Sequence, residues 1–558
     1  MHYSSRRDAG RRKSAKTQAV EFWPYRLVWS RTSGFHPENQ GFKSPWGRLM
    51  PSAYYANVSR ASDLKDPKER FLYRFLEMLP GLLSFGSLFA IVLLSWMYPM
   101  LVAFFVFGFI VYWLLRTIYF SFHLRAGYKK MREYEKTDWM KKLQGTPNWQ
   151  NIRHLVVLVA YKESYEIVQE SLRAVARSKY PKDKLIVVLT LEERAGVSAK
   201  AMGAHLEKEF KDSFFRFLVT LHPSNLPGEI AGKGSNEAWA TKEAKEKIID
   251  PLRIPYAHVI ETSLDADTIL SPGYLACLAY HYGTVPHATQ ASFQPIPLFI
   301  NNAWQAGALS RIFSFSATFW QTMNQERPEK LITFSSHSMS FQALVDVGFK
   351  QRNVVADDSH IFWQCFFYYN GDYRVYPLYY PIFMDANVGK NFLETMKNMY
   401  RQQRRWAWGV SDVPYFLFGF FKNRKIPFFK KVSLTLEFIE GHWSWAAAPI
   451  LIFLAGWLPL LLGGQAFSAT LVSYNLPIFT SRLLTLAMLG LVLSAFISIQ
   501  ILSAVRPGHA KWRLAAIALQ WALFPFTMIF FTAFPALDAQ LRLLLGKYMG
   551  FWTTPKFR

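Results

Sequence analysis

The feature that most constrains this chain is a set of long apolar segments that are almost free of charge. From Leu79 to Phe120 the only charged residue is Arg116, and Pro99 lies near the middle of the stretch. At a rise of about 1.5 Å per residue, each half is long enough to cross a bilayer as a helix. The pattern predicts a transmembrane hairpin here and three further spans, at Trp443–Leu462, Leu483–Val505 and Leu514–Phe534.

The net charge of +25 lies beside these apolar segments and not on the region between them. Residues 1–77 hold 15 basic and 7 acidic residues, 390–431 hold 10 and 2, and 151–389 hold 23 and 24. A neutral central region gives no electrostatic footprint for nucleic acid, which we exclude as a partner. Basic residues beside apolar segments are typical of the cytoplasmic side of a membrane. We therefore expect a multi-pass protein of the cell membrane with a cytoplasmic central domain.

These patterns divide the chain into six segments. In chain order they are a partly disordered basic leader, a transmembrane hairpin, a central domain, an amphipathic segment in the membrane interface, about three transmembrane helices and a basic tail: 1–77, 78–120, 121–410, 411–431, 432–537 and 538–558. Five spans would leave the tail outside, although Arg542 and Lys547 favour the cytoplasmic side. One of these assignments must be wrong, and the sequence does not say which.

The central domain alternates short apolar runs with helical patterns. The runs are LVVLVA, LIVVLT, FRFLVTLH and HVIETSLDAD, at 155–160, 185–190, 215–222 and 258–267. Strands that are apolar throughout and separated by helices are typical of a mostly parallel sheet covered on both faces. Ligands of such α/β, Rossmann-like sheets bind beyond the carboxyl ends of the strands. The functional residues are therefore expected at those ends.

Two acidic pairs stand where this reasoning expects chemistry. Asp265 and Asp267 end the fourth apolar run, and two carboxylates at that spacing can hold Mg²⁺ or Mn²⁺ that bridges a diphosphate. A solvated loop is the structural alternative for so short a motif. Asp357 and Asp358 precede an apolar helix, where capping of the helix N-terminus is the alternative.

A third motif, Gln402-Gln403-Arg404-Arg405-Trp406, lies near the membrane side of the domain. Its structural alternative is the end of an interfacial helix whose basic side chains reach toward the head groups. Each motif has such an alternative when it is taken singly. Their occurrence together, in this order, favours a shared function.

In this order the motifs resemble those of the membrane-embedded family 2 glycosyltransferases, the group that includes cellulose and hyaluronan synthases. The resemblance covers about 150–410 and rests on AYKE, GKGSN, DAD, ADD and QQRRW, at 160–163, 232–236, 265–267, 356–358 and 402–406. It implies a GT-A domain inserted between transmembrane helices, a nucleotide-sugar donor and a divalent cation, Mg²⁺ or Mn²⁺. A UDP-sugar is favoured over a GDP-sugar, and the acceptor is a glycan or a lipid.

The resemblance also implies roles for individual residues. Asp265 and Asp267 would hold the metal, Asp358 would be the general base with Asp357 supporting it, and Arg405 would stabilise the leaving diphosphate. The residues that would bind substrate are Tyr161, Glu163, Glu192, Lys233, Asn236, Gln402, Arg405 and Trp406. The chain departs from the family at Glu192, where an aspartate usually reads the nucleotide base, and Glu193 is the alternative.

The chemistry of the reaction fits these residue types. Displacing a nucleoside diphosphate from an anomeric carbon leaves negative charge that a metal and a fixed guanidinium can stabilise. The attacking hydroxyl needs a base, and a single in-line attack inverts the anomeric centre. Sequence reasoning thus predicts an inverting glycosyltransferase that extends a polysaccharide.

Two other function classes stay open. The first is transfer of a single sugar to a lipid such as a polyprenyl phosphate. The second is a transporter or scaffold with a degenerate transferase domain, which the intact carboxylates and the near absence of ionisable residues in the apolar segments disfavour.

Overall fold

The computed structural model describes residues 54–505 and 511–555. Most of the predicted basic leader, residues 1–53, lies outside the described residues. So do residues 506–510 and the last three residues of the tail.

Eight strands form one mixed sheet. They are β1 (Arg153–Val159), β2 (Leu185–Glu192), β3 (Arg216–His222), β4 (Val259–Asp265), β5 (Ile269–Leu270), β6 (Ala291–Phe299), β7 (His337–Ser340) and β8 (Arg374–Met384). Their order across the sheet is β3-β2-β1-β4-β7-β6-β8-β5.

The first four strands confirm the predicted parallel half of the sheet. β1 pairs in parallel with β2 and with β4, and β2 pairs in parallel with β3. All of β2 is buried, because apolar clusters cover both faces of the sheet. Val159 at the end of β1 is level with Thr190 in β2 and with Asp265 in β4, so the three strands end at the same edge.

The other half of the sheet is mixed, which makes the whole sheet GT-A-like. β7 is antiparallel to both of its neighbours, β4 and β6, whereas β6 and β8 are parallel to each other. β7 reads HSMS, four residues without an apolar run, and for that reason it was not recognised from the sequence.

Within residues 54–505 and 511–555, twenty α-helices accompany the sheet. Those up to the end of the central domain are α1 (Pro67–Met97), α2 (Pro99–Lys136), α3 (Trp139–Gln144), α4 (Tyr165–Ala176), α5 (Val197–Phe210), α6 (Lys233–Ala244), α7 (Tyr274–Thr284), α8 (Ala308–Asn324), α9 (Phe341–Asp346), α10 (Asp357–Tyr368) and α11 (Phe392–Ala407). The remainder are α12 (Asp412–Lys422), α13 (Phe428–Leu454), α14 (Leu458–Leu462), α15 (Gly464–Ser468), α16 (Leu471–Ala487), α17 (Leu489–Val505), α18 (Lys511–Gln520), α19 (Phe524–Met528) and α20 (Phe534–Leu544).

Four helical segments among the described residues are long and apolar enough to cross a membrane. They are Pro67–Met97, Pro99–Lys136, Leu471–Ser503 and Trp512–Leu544. The predicted hairpin corresponds to the first two, which are separated at Tyr98. The predicted span Trp443–Leu462 is not among the four. It overlaps the second half of α13 (Phe428–Leu454), and the chain turns between α13 and α14.

The predicted interface segment, 411–431, consists of a buried helix followed by an exposed stretch. In α12 the residues from Asp412 to Phe420 are buried. Large exposed side chains begin at Phe421 and continue at Phe428 and Phe429. Contact with a membrane interface thus stays a prediction for the second part alone.

Candidate active site

The carboxyl ends of β1 and β4 place the first acidic motif in an open position. Asp265 is the last residue of β4, and its side chain is 27% exposed. Its Oδ2 accepts a hydrogen bond from Ser335 Oγ at 2.6 Å, and its backbone N–H donates to Ser336 Oγ at 3.1 Å. These two serines orient a carboxylate that solvent can still reach.

Lys233, the first residue of α6, joins the two acidic motifs. Its Nζ lies 2.8 Å from Asp265 Oδ1 and 2.9 Å from Asp358 Oδ1. Burial alone would lower the pKa of Lys233, but the neighbouring carboxylates, Asp265 foremost, raise it well above its ordinary value. The ammonium therefore stays charged and bridges residues that are 93 positions apart in the sequence.

A close approach of two helices makes this bridge possible. A Cβ atom added to Gly234 would lie 2.6 Å from the Cβ of Asp357, so only glycine lets the start of α6 reach the start of α10. Asp357 and Asp358 occupy the first turn of α10, where the helix dipole stabilises negative charge.

The two neighbouring aspartates differ in environment. Asp357 is 3% exposed, whereas the side chain of Asp358 is 23% exposed and faces Lys233. Burial, together with the charge of Asp358, raises the pKa of Asp357 to about 7. Asp358 is thus the member of the pair that a substrate hydroxyl can reach.

A second lysine, Lys350, supports the acidic pair from the interior. Its Nζ lies 2.8 Å from Oε1 of the fully buried Glu237. The same ammonium is 3.6 Å from Asp357 Oδ2 and 3.7 Å from Asp358 Oδ1. Burial acts to lower the pKa of Lys350, but the carboxylates outweigh it and raise that pKa.

Arg405 reaches the same cluster from α11. Burial lowers the pKa of its guanidinium, and the charges of Asp265, Asp358 and Asp357 oppose that shift. The guanidinium carbon lies 4.9 Å from the centre of the Phe551 ring. Four elements, the end of β4 and the helices α6, α10 and α11, therefore converge on one cleft.

The predicted nucleotide-binding residues surround the ends of β1 and β2. The backbone N–H of Tyr161 donates to Glu163 Oε2 at 2.6 Å, and the guanidinium of Arg194 lies 4.2 Å from the Tyr161 ring. Glu192 is buried and accepts a hydrogen bond from Arg194 Nη2 at 3.0 Å. Asn236, also buried, accepts from the hydroxyl of Thr190 in β2.

Two further predicted substrate-binding residues, Gln402 and Trp406, lie on α11 and are packed into the fold. Gln402 is buried, and its Oε1 accepts from Asn387 Nδ2 at 3.1 Å. The Trp406 ring stacks on Phe313 with the ring centres 5.6 Å apart and meets Phe334 edge to face at the same separation.

The residues at the end of β4 fit a divalent cation that takes most of its ligands from substrate. Asp265 presents a hard oxygen ligand to the cleft, whereas Asp267 is fully buried and its Oδ2 accepts from the backbone N–H of Asp385 at 2.9 Å. Within the described part of the chain, no three His, Cys, Asp or Glu side chains form a metal-binding group. Mg²⁺ and similar ions commonly bind through one or two carboxylates together with phosphate and water. Asp265 is the better placed ligand of the predicted pair.

Three residues of the cleft escaped sequence reasoning. Lys350 is an isolated lysine in a loop, and Phe551 belongs to the C-terminal tail, so neither lies in a motif. A Cβ on Gly232 would lie 2.6 Å from Cγ of Phe551, so this ring closes one side of the cleft against the start of α6. Glu237 directly follows GKGSN, and its position next to that motif was the one available signal.

Comparison with known proteins agrees with this geometry. Residues 262–534, just under half of the chain, match the family model described as glycosyl transferase family group 2. No curated protein matches the chain.

Among solved structures, the chain is similar to the mannosyltransferase PcManGT from Pyrobaculum calidifontis in complex with GDP-Man and Mn²⁺. The identity is 15%, the match covers 79% of this chain and 100% of that one, and the TM-score is 0.40. It is also similar to S. aureus TarS in complex with UDP-GlcNAc, with 12% identity, 71% and 93% coverage and a TM-score of 0.34. From the family match and the mixed sheet we conclude that this chain is a glycosyltransferase, whose residues 262–534 match the model of glycosyl transferase family group 2 and whose sheet is GT-A-like.

Proposed function

We propose that this glycosyltransferase works at a membrane and adds a sugar from a cytoplasmic nucleotide sugar to a growing polysaccharide, with inversion at the anomeric carbon. The observation that carries the proposal is the convergence of Asp265, Lys233, Asp358 and Arg405 on one cleft at the carboxyl ends of the parallel strands. Such a cleft combines positive groups for a leaving diphosphate with a carboxylate for the attacking hydroxyl.

Asp358 is the proposed general base. Its carboxylate lies in the first turn of α10, is partly exposed and is held by Lys233 at 2.9 Å. It would take the proton of the acceptor hydroxyl as that oxygen attacks the anomeric carbon and the bond to the diphosphate breaks. Asp357, buried behind it, would hold the helix start and limit the movement of the base.

Lys233 and Arg405 are proposed to meet the leaving diphosphate. Both cations are fixed by packing before substrate arrives, so little reorganisation is needed when charge develops on the leaving group. Asp265, with Asp267 fixing the strand end from which it projects, would hold Mg²⁺ or Mn²⁺. When bound, such an ion supplies further neutralisation of the diphosphate.

The donor and acceptor would enter from different sides. Tyr161, Glu163, Glu192 and Asn236, around the ends of β1 and β2, would bind the nucleoside, for which we favour a UDP-sugar. Gln402 and Trp406 on α11 would line the acceptor side. The QQRRW motif and the apolar helices on both sides of the domain support a polysaccharide acceptor over a single lipid.

We also propose that α1, α2, α16–α17 and α13 are the spans, and that Trp512–Leu544 lies along their cytoplasmic ends. α13 is not among the four most apolar segments, but its 27 residues are long enough to cross a bilayer and it packs against α1 and α2. Ala447 and Leu451 of α13 pack with Val102 and Val106 of α2, and Trp443 Nε1 donates to Ser87 Oγ of α1 at 2.9 Å.

Trp512–Leu544, in contrast, contacts the catalytic domain and the part of α1 where its apolar stretch begins. Asp538 accepts from Arg404 of α11 at 2.8 Å, and Trp521 stacks on Phe319 of α8 with the ring centres 5.7 Å apart. Gly81 of α1 lies against Leu544. Four spans return the tail to the cytoplasmic side, as its basic residues require, and remove the conflict found in the sequence.

A fluorescent reporter that folds only in the cytoplasm, fused after Arg558, is expected to glow in cells. The contact between Phe551 and Gly232 predicts this result, because the tail and the sheet domain must then lie on the same side. A dark fusion, combined with an active periplasmic or lumenal reporter at the same site, would contradict the proposed topology.

The proposed function is tested with purified full-length protein and radiolabelled UDP- and GDP-sugars in the presence of Mg²⁺ or Mn²⁺. The expected result is release of the nucleoside diphosphate and a labelled product that runs as a ladder. A single lipid-soluble labelled band would show that the acceptor is a lipid and not a polysaccharide. Failure of every donor to be hydrolysed or transferred would overturn the function.

A further inference from the structure

A cleft of about 650 Å³ opens between α2 and α17, and none of the residues that line it belongs to the candidate active site. One wall comes from the last three turns of α2 and the other from the middle of α17. The two walls differ in chemistry, and that difference suggests a ligand.

The α2 wall is basic. Arg125, Lys129, Arg132 and Lys136 follow one another at spacings of four, three and four residues, which places them on one face of the helix. Glu133 is the one acidic residue among the lining side chains, and its contact with Lys129 is long, 3.9 Å, between two largely exposed groups. Arg132 also pairs with Glu135 on the same helix, at 2.5 Å. Exposed pairs of this kind neutralise little, and with four basic residues beside two acidic ones the wall keeps a positive charge.

The N-terminal part of the α17 wall is apolar. Leu493, Phe496 and Ile497 share one helix face and point toward the basic wall. Phe496 is 57% exposed in the isolated chain. An exposed ring of this size, next to further exposed apolar residues such as Val492, is typical of a surface that contacts lipid and not water.

α2 runs in the same direction as α16 and α17, so the two walls lie at the same level along the helix axes. The rings of Phe107 and Phe479 are 4.8 Å apart, and a Cβ on Gly490 would lie 2.9 Å from Thr117 Cγ2. Beyond these contacts, toward the carboxyl ends of the helices, α2 becomes basic from Arg125 while α17 stays apolar. A basic surface and an apolar surface therefore face each other at one level, where α2 would leave the bilayer.

We propose that this cleft binds an anionic phospholipid of the surrounding bilayer. The head-group phosphate would lie against Arg125 and Lys129, and one acyl chain would lie along Leu493 and Phe496. Charge complementarity selects the anionic head group, and the apolar wall excludes a free anion. A lipid acceptor for sugar transfer is not the proposed occupant, because no residue of the catalytic cleft lines this site.

The test uses the full-length chain in nanodiscs of phosphatidylcholine doped with phosphatidylglycerol of the same chain length. The protein is released from the nanodiscs in a native mass spectrometer, which identifies the lipids that stay bound to it. Wild type is expected to retain phosphatidylglycerol in preference to phosphatidylcholine. The double variant Arg125→Gln/Lys129→Gln should reduce this preference about tenfold or more, since each basic residue near a membrane surface attracts anionic lipid appreciably.

The matched control is Arg424→Gln/Lys425→Gln, which removes one arginine and one lysine from an exposed stretch outside the cleft. Retention by this control, with loss in the cleft variant, supports the site. Equal loss in both variants, or equal retention of the two lipids by wild type, overturns it. Displacement of phosphatidylglycerol by glycerol phosphate would overturn the role of the apolar wall, and displacement by a polyprenyl phosphate at equal concentration would overturn the assignment to phospholipid. The readout needs no donor sugar, so it is independent of the proposed reaction.

Discussion

Replacing Asp358 by Asn is expected to lower the rate of sugar transfer by about 10²- to 10⁴-fold, the range that a positioned general base contributes. The amide keeps the size of the side chain and can still contact Lys233, but it cannot accept the proton of the acceptor hydroxyl. Donor affinity should change little, because the diphosphate would be held mainly by Lys233 and Arg405. The measurement is the initial rate of labelled-sugar transfer beside the dissociation constant of the nucleotide sugar.

Asp357→Asn provides the matched control for that substitution. Asp357 is buried, and burial with the charge of Asp358 raises its pKa to about 7, so a neutral amide resembles a form that is already populated near neutral pH. We expect a loss of less than about tenfold. Full activity of Asp358→Asn, or a larger loss of activity in Asp357→Asn than in Asp358→Asn, would show that Asp358 is not the general base.

Replacing Lys350 by Met is expected to destabilise the protein by about 3–5 kcal/mol, because the fully buried carboxylate of Glu237 loses its 2.8 Å ammonium partner. The same change should shift the acid limb of the pH profile of kcat/KM upward by about one unit or more. Lys350 is one of the charges that lower the pKa of Asp357, so without it Asp357 holds its proton to higher pH. The partial loss of activity that follows protonation of Asp357, no larger than the loss in Asp357→Asn, is therefore expected at a higher pH than in wild type.

The double variant Lys350→Met/Glu237→Gln separates the two effects. It removes both members of the buried pair, and replacing a whole pair by neutral groups is often close to neutral in stability. Thermal melting should return toward the wild-type value, while part of the pH shift persists because Asp357 still lacks the ammonium. A single Lys350→Met variant with unchanged melting and an unchanged pH profile would contradict the proposed role of Lys350.

Sequence reasoning predicted the parallel half of the sheet because its strands are continuous apolar runs. It also predicted that chemistry lies at the strand ends, and the structure brings Asp265 of β4 together with Lys233 and Asp358. β7 was missed, because four mostly polar residues buried between β4 and β6 carry no periodic signal.

The remaining gaps come from contacts between residues far apart in the chain. Lys350 and Phe551 reach the cleft through tertiary packing, for which no local motif exists. The membrane helices show the same limit, since composition makes Trp512–Leu544 as good a candidate span as α2. Tertiary contacts, such as those with Arg404 and Phe319 and that of Phe551 with Gly232, are what support its proposed position at the cytoplasmic ends of the other helices.

The measurement that most directly tests the central claim is a cryo-electron microscopy map of the Asp358→Asn variant with an intact nucleotide sugar and Mn²⁺. The account predicts density for the diphosphate between Asp265, Lys233 and Arg405, with the anomeric carbon facing residue 358. Diphosphate density elsewhere on the molecule, or an anomeric carbon turned away from residue 358, would contradict it.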